Sequence, residues 1–311
     1  MAHVLIAGGA GFLGSHLADA HVARGDSVII VDNFSSGTRA NITHLAESDA
    51  VTVLEHDVIE PLSVDEPLCR IYNLASLASP PRYLAHPIET LRVGSEGTRA
   101  LLELAQRHGA RFILASTSEI YGDPTEHPQR EEYWGNVNSI GPRSVYDEAK
   151  RYAEAFTMAV HRTHGVSVGI ARIFNTYGPR LHPDDGRVLS NFITQGLAGA
   201  PLTIYGDGTQ TRSFCFVSDL VAGLVLLGDS SETGPFNLGG TNEITMLALA
   251  ELIVDITGST AGVTFEPLPV DDPARRRPDT SKARSVLGWE QRVDFREGLG
   301  QLVRYYQGLG R

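Results

Sequence analysis

The chain has 311 residues, 42% hydrophobic and 20% charged, an ordinary composition for a water-soluble globular protein with one large or two smaller cores. Its formal net charge of -11 makes nucleic acid and anionic membrane surfaces poor partners, and an anionic small ligand would need arginines gathered locally. No apolar run is long enough to span a bilayer, and the opening MAHVLIAGGAGFLG lacks the basic start of a secretory signal.

In chain order, HVLIAGG (3–9) reads as a strand running into glycines, and FLGSHLADAHVARG (12–25) follows with helical spacing and stops at Gly25. SVIIVD (27–32), VTVLEHD (51–57), RIYNLAS (70–76), RFILAST (111–117) and VSVGIARIF (166–174) read as further strands. PIETLRVGSEGTRALLELAQRHG (87–109) reads as a long helix between two of them. This alternation predicts an α/β fold, a Rossmann-type doubly wound parallel sheet. After about residue 176 Pro and Gly become more frequent and the elements shorten, which predicts a smaller C-terminal substrate-binding lobe. The expected division is 1–175 for the sheet domain, with about 210–240 returning to it, and 176–311 for the lobe. Cys69 just precedes a predicted strand and Cys215 lies in an apolar one, so both are expected as buried free thiols in a reducing cytoplasm.

GGAGFLG (8–14) places Gly8, Gly11 and Gly14 between the first strand and the first helix. Glycines there let backbone approach a pyrophosphate, and the helix N-terminus offers free N–H groups and a positive dipole end. A glycine triplet alone is weak, but Asp32 ends the second strand 18 residues after Gly14. A carboxylate there accepts hydrogen bonds from a ribose diol and repels a 2′-phosphate, which favours NAD over NADP. Arg39, a phosphate-binding type of side chain nearby, keeps NADP open.

Only two lysines occur in the chain, Lys150 and Lys282. Lys150 follows Tyr146 by four residues on a predicted helix, so the two share a face. A free tyrosine has a pKa of about 10, and a nearby ammonium favours its phenolate. Thr117, at the C-terminal end of a predicted strand, adds a hydroxyl where open α/β sheets bind ligands. A tyrosine base, a positioning hydroxyl and a supporting lysine form a hydride-transfer constellation for a sugar or alcohol.

These motifs resemble the extended short-chain dehydrogenase/reductases. GGAGFLGSHL (8–17), VDNFSSG (31–37), HDV (56–58) and NLASLASPPRY (73–83) carry the resemblance through the first part. STSEIYGDPTEHPQREEYWGNVNSIGPRSVYDEAKR (116–151), ARIFNTYGPRLHPDDGRVLSNFI (171–193), PLTIYGDGTQTRSFCFVSDL (201–220) and DDPARRRPD (271–279) extend it. The block from STSEIYGDP to YDEAKR, with SPPRY and HPDDGRV, is similar to the UDP-glucuronate decarboxylase group within that family. Ser139, Val145 and Ala149 depart from the Pro, Cys and Gly of that group, without removing a reactive group.

The resemblance implies NAD held by Gly8, Gly11, Phe12, Leu13, Gly14, Asp32, Asn33, Asp57, Val58 and Leu74, together with Tyr146 and Lys150. It implies oxidation at C4 of UDP-glucuronate, loss of CO2 from the resulting β-keto acid, and return of the hydride to give UDP-xylose. Tyr146 is then the base, Lys150 its support, and Thr117 the partner of O4. Glu119 would bond ring hydroxyls, and Arg276 would sit near the sugar carboxylate, with Arg275 and Arg277 adjoining it. Tyr83, Ser118, Asn175, Arg187, Tyr205, Gln210 and Arg212 are the implied substrate contacts, the arginines because guanidinium forks suit diphosphate. A homodimer through helices near 88–108 and 146–163 is implied as well. No metal is expected: HPDDG (182–186) reads as a turn. Related 4-epimerases and 4,6-dehydratases stay open, the latter against Ser118 standing where their catalytic acid belongs; a non-catalytic dinucleotide sensor is the reading from another class.

Overall fold

The computed structural model describes residues 2–268 and 275–310, so Asp271, Asp272, Pro273 and Ala274 of the DDPARRRPD motif lie outside the described residues. Its centre is a seven-stranded sheet. Strands β1 (His3–Ala7), β2 (Ser27–Asp32), β3 (Val51–Glu55), β4 (Leu68–Asn73), β5 (Arg111–Thr117) and β6 (Val168–Ile173) supply six of the positions. Phe236–Leu238 supplies the seventh, giving the order β3, β2, β1, β4, β5, β6, Phe236–Leu238, every neighbouring pair parallel. Strand order reverses between β1 and β4, so a crevice opens there at the C-terminal strand ends.

Both faces of the sheet are covered, which is why its strands read as continuous apolar runs. Val4 and Ile6 of β1 join the core formed with Leu17 and Leu224, from the helices Phe12–Ala23 and Val217–Asp229. Leu5 and Ala7 point the other way, into the core with Leu101 and Ala153, from Thr98–His108 and Ser144–His164. Burying each large aliphatic side chain contributes about 1.5–3 kcal/mol. The C-terminal region adds the helices Val188–Leu197, Met246–Thr257 and Phe295–Gly308 and, among the described residues, three small sheets of short strands. Its Leu202, Ile253 and Leu302 belong to the same apolar cluster as Val4 and Ile6, so sheet and lobe share a continuous core.

Three expectations shift. The 70–76 strand begins earlier, at Leu68, and so includes Cys69. That thiol is only half-buried and donates to the His3 carbonyl at 3.2 Å, whereas Cys215 is buried as expected. The 87–109 helix is interrupted: Pro87–Arg92 and Thr98–His108 flank a wider π-turn at Val93–Gly97. There the chain closes on the Ser144–His164 helix, and a Cβ on Gly94 would lie 2.6 Å from the Ala149 Cβ. No helix among the described residues is long and apolar enough to cross a membrane.

Candidate active site

A cavity of about 1180 Å³ runs along the C-terminal ends of the strands and beneath the lobe. At one end lies the glycine turn. Gly8 adopts φ +76°, and a Cβ there would be 2.8 Å from the Ala75 nitrogen, so the turn rests on the backbone after β4. A Cβ on Gly14 would be 2.1 Å from the Gly8 carbonyl oxygen; only glycine lets the helix begin so close to the turn. Gly11 caps that helix without a side-chain bond and lines the cavity with Phe12 and Leu13, leaving backbone donors to face it.

Asp32 closes β2. Its Oδ2 accepts from the Ala10 N–H at 2.9 Å and its Oδ1 from the Phe34 N–H at 2.8 Å. Burial raises its pKa, and those two bonds pull against that rise. The Asn33 amide donates to Asp57 at 2.9 Å, and both line the cavity with Val58 and Leu74. Arg39 lies 2.5 Å from Glu55 and stacks over the Phe34 ring at 4.3 Å, so its guanidinium already has a carboxylate partner. Backbone donors at an uncapped helix start and a carboxylate one strand away fit a dinucleotide's pyrophosphate and ribose.

Midway along the cavity are the residues of hydride chemistry. Thr117 ends β5, and its Oγ1 accepts from the Glu119 N–H at 3.2 Å. Tyr146 lies in the first turn of its helix, bonded to the Thr117 side chain. Lys150, one turn on, donates to the Ala115 carbonyl at 2.9 Å and lies 5.8 Å from the Tyr146 ring centre. Tyr83 stacks on Tyr146 with centroids 5.2 Å apart.

The expected lowering of the phenol's pKa by the ammonium is corrected here. Burial raises the Tyr146 pKa above its ordinary value; the Thr117 bond and Arg187 pull it down, while Glu119 and Asp147 push it up. Burial also pushes Lys150 down, to about 8. Both groups have lost water: burial keeps the phenol protonated and neutral, while Lys150, though shifted down, still carries its proton at pH 7.

Beyond Tyr146 lies a charge cluster. One oxygen of Glu119 accepts from Arg143 at 2.7 Å and the other from Arg276. Burial alone would raise the Glu119 pKa, but the two guanidinium groups outweigh it and hold the carboxyl well below the usual range. Arg276 is delivered by Arg275–Arg276, a short strand parallel to Thr211–Ser213. Of the three adjoining arginines it alone lines the cavity; Arg275 is exposed, and Arg277 lies 3.4 Å from Glu243.

At the far end Arg187 caps Val188–Leu197 and forms a two-pronged pair with Asp185. That pairing and a bond from the Asp184 N–H to His182, at 3.0 Å, occupy the HPDDG turn. Asn175, Tyr205, Gln210 and Arg212 line the same end, with Gln210 donating to the Tyr205 carbonyl at 2.6 Å, while Tyr83 and Ser118 line the wall near Tyr146. Every residue expected at the site on sequence grounds therefore meets this one cavity. Arg143 and Asp185 also line it and were not expected; the one signal for Arg143 was its place three residues before Tyr146, at the start of the same helix.

Residues 4–239 match the family described as the NAD dependent epimerase/dehydratase family. UDP-glucuronic acid decarboxylase 1 of Arabidopsis thaliana is 52% identical over 96% of this chain and 68% of its own length. UDP-glucuronic acid decarboxylase 1 of Danio rerio is 51% identical over 97% of this chain and 72% of its own. Among solved structures, UDP-glucose 4-epimerase of Thermotoga maritima, with UDP-glucose, superposes with a TM-score of 0.89 at 29% identity, covering 99% of this chain and 100% of that one. UDP-glucuronic acid 4-epimerase of Bacillus cereus, in complex with UDP-glucuronic acid and NAD, superposes with a TM-score of 0.88 at 27% identity, covering 99% of each chain.

Proposed function

The chain belongs to the NAD dependent epimerase/dehydratase family, and on that premise we propose that it converts UDP-glucuronate to UDP-xylose and CO2. The observation that carries this reading is the pair of arginines, Arg143 and Arg276, gathered on Glu119 beside Tyr146. A sugar carboxylate at C6 would find positive charge there, two carbons from C4, whose hydroxyl would meet Tyr146 and Thr117.

The glycine turn, Asp32, Asn33, Asp57, Val58 and Leu74 would hold NAD, which would supply reversible hydride chemistry at C4. Tyr146 takes the O4 proton, Thr117 bonds O4, and Lys150 supports the phenol electrostatically. The 4-keto sugar is a β-keto acid: its C5–C6 bond breaks, the electron pair moves toward the C4 carbonyl, and CO2 leaves. Glu119 and Arg276 hold the ring and its carboxylate through this step. A proton delivered to C5 from water gives the 4-keto pentose, and Tyr146 returns its own proton to O4 as C4 is reduced. Arg187, Arg212, Asn175, Gln210, Tyr205, Tyr83 and Ser118 hold the UDP and sugar. In this division of labour 1–175, joined by about 210–240, serves the cofactor and 176–311 the UDP-sugar.

Incubation with UDP-glucuronate and no added NAD, followed by product analysis, tests the reading: UDP-xylose and CO2 are expected. The Bacillus cereus relative favours a second reading, C4 epimerisation; UDP-galacturonate without gas release would establish it instead. We further propose a homodimer through helices near 88–108 and 146–163, supported by the exposure of Ile88, Leu91 and Tyr152 on them. A reducing cytoplasmic setting suits the two free thiols.

A further inference from the structure

Glu119 is the hub of a cluster drawn from three separated parts of the chain. It follows β5; Arg143 precedes the Ser144–His164 helix; Arg276 comes from the C-terminal lobe. Arg276 is 4% exposed and also donates to the Gly122 carbonyl at 3.2 Å, while its Nε is buried with no hydrogen-bond partner among the described residues. The guanidinium is therefore short of one acceptor, on a cavity wall beside Tyr146.

That Nε is buried, so a carboxylate in the cavity reaches it only if the guanidinium turns, which loosens the Nη1 bond to Glu119. Glu119 is itself desolvated, and a buried carboxylate left without a cation is strongly unfavourable. Arg143 removes the conflict, because it contacts the other oxygen of Glu119 and lies on the Tyr146 helix rather than in the lobe. We propose that Arg143 is a positioning residue for the uronate carboxylate: by staying on Glu119 it keeps that group paired and leaves Arg276 free to turn to the ligand. This rests on the reading that the ligand carries a carboxylate.

The groups around Glu119 agree with the assignment. Besides the two arginines it is faced electrostatically by Tyr83, from Pro80–Ala85, and by Tyr146 and Asp147 from the Ser144–His164 helix. Asp147 is buried, its Oδ1 has no partner among the described residues, and burial and then Glu119 push its carboxyl toward the neutral form. Without Arg143, Glu119 and Arg276 would be left to neutralise each other, and the wall would lose the net positive charge that attracts an anion.

The test is titration calorimetry on the full chain with NAD, in a Tyr146→Phe background that binds without turning over. UDP-glucuronate is compared with UDP-xylose, the same ligand without the carboxylate. Arg143→Met is expected to weaken UDP-glucuronate by at least about tenfold and UDP-xylose by no more than about twofold, as for loss of one partner in a buried charge pair. Arg143→Lys is expected to recover most of the loss. Adding Glu119→Gln to Arg143→Met is expected to restore the preference for the uronate, because nothing then holds Arg276 back. Unchanged preference in Arg143→Met overturns the proposal. So does equal loss of both ligands that neither Arg143→Lys nor Glu119→Gln reverses, the result of a purely structural role. If Arg143→Met does not fold, the double variant decides by the same criterion, and its failure to fold also overturns the proposal. An unaltered chain that releases no CO2 and shows no preference for the uronate removes the functional reading, and this proposal with it; a chain that decarboxylates normally while Arg143→Met keeps its preference removes only the proposal.

Discussion

The two ends of the cavity are built in different ways. The cofactor end is local: Gly8, Gly11 and Gly14 fall within one turn, and Asp32 closes the neighbouring strand. Its geometry comes from missing side chains and backbone donors. The sugar end is assembled from a distance: Glu119, Arg143 and Arg276 come from three segments and meet through paired charges, and Arg187, paired with Asp185, adds a fourth segment further along. The first kind of site tolerates almost no added volume. The second tolerates volume but not an unbalanced charge.

The largest expected effect falls between the two ends. Tyr146→Phe removes the group that moves the O4 proton, and kcat is expected to fall by about 10²–10⁴, with the circular dichroism spectrum and UDP binding retained. Retained turnover would mean the proton leaves by another route. Next is Gly14→Ala. Its methyl meets the Gly8 carbonyl oxygen at 2.1 Å, a backbone atom that cannot rotate away. Overpacking of this kind costs about 1–3 kcal/mol, read as a lower denaturant midpoint, together with loss of NAD binding.

Lys150→Met separates function from stability. Burial holds the folded-state pKa of Lys150 at about 8, below its ordinary 10.5. Between those values the unfolded chain binds more protons than the folded one, so the group makes stability rise with pH across that window. Below it, the buried ammonium is a cost, bounded at roughly 3 kcal/mol by the size of the shift. The variant should therefore match or exceed the parent in Tm at pH 7 and lose the rise between about pH 8 and 10.5, while kcat falls about 10²–10³-fold. A lower Tm at pH 7 would contradict the burial argument. The smallest effect belongs to Arg39→Ala. That ion pair is about two-thirds exposed on both sides, so a change of a few tenths of a kcal/mol is expected, with NAD affinity unaltered in a binding titration.

Much of the fold was legible because parallel strands buried on both faces are uninterrupted apolar runs, as in SVIIVD and RFILAST. Phe236–Leu238 was less so: three residues give no period, and only pairing with β6 makes them a strand. The π-turn at Val93–Gly97 was illegible for a related reason, since it reflects the approach of Ala149 across a helix interface. At the site, motif positions led to the cavity lining, but neither the partners nor the protonation balance followed from them. Lys150 was expected to lower the phenol's pKa, and burial reversed the outcome.

From its residues alone, this protein had its parallel sheet, its glycine turn and the shared face of Tyr146 and Lys150. Those depend on apolar periodicity, on absent side chains and on a four-residue helical repeat, all of them short-range properties of the chain. Only the tertiary structure decided that Arg276 rather than Arg275 or Arg277 reaches Glu119, that Arg143 joins it, and that burial raises the phenol's pKa and lowers the ammonium's. Charge pairing and desolvation depend on what surrounds a group in space, and that environment exists only once distant segments have packed together.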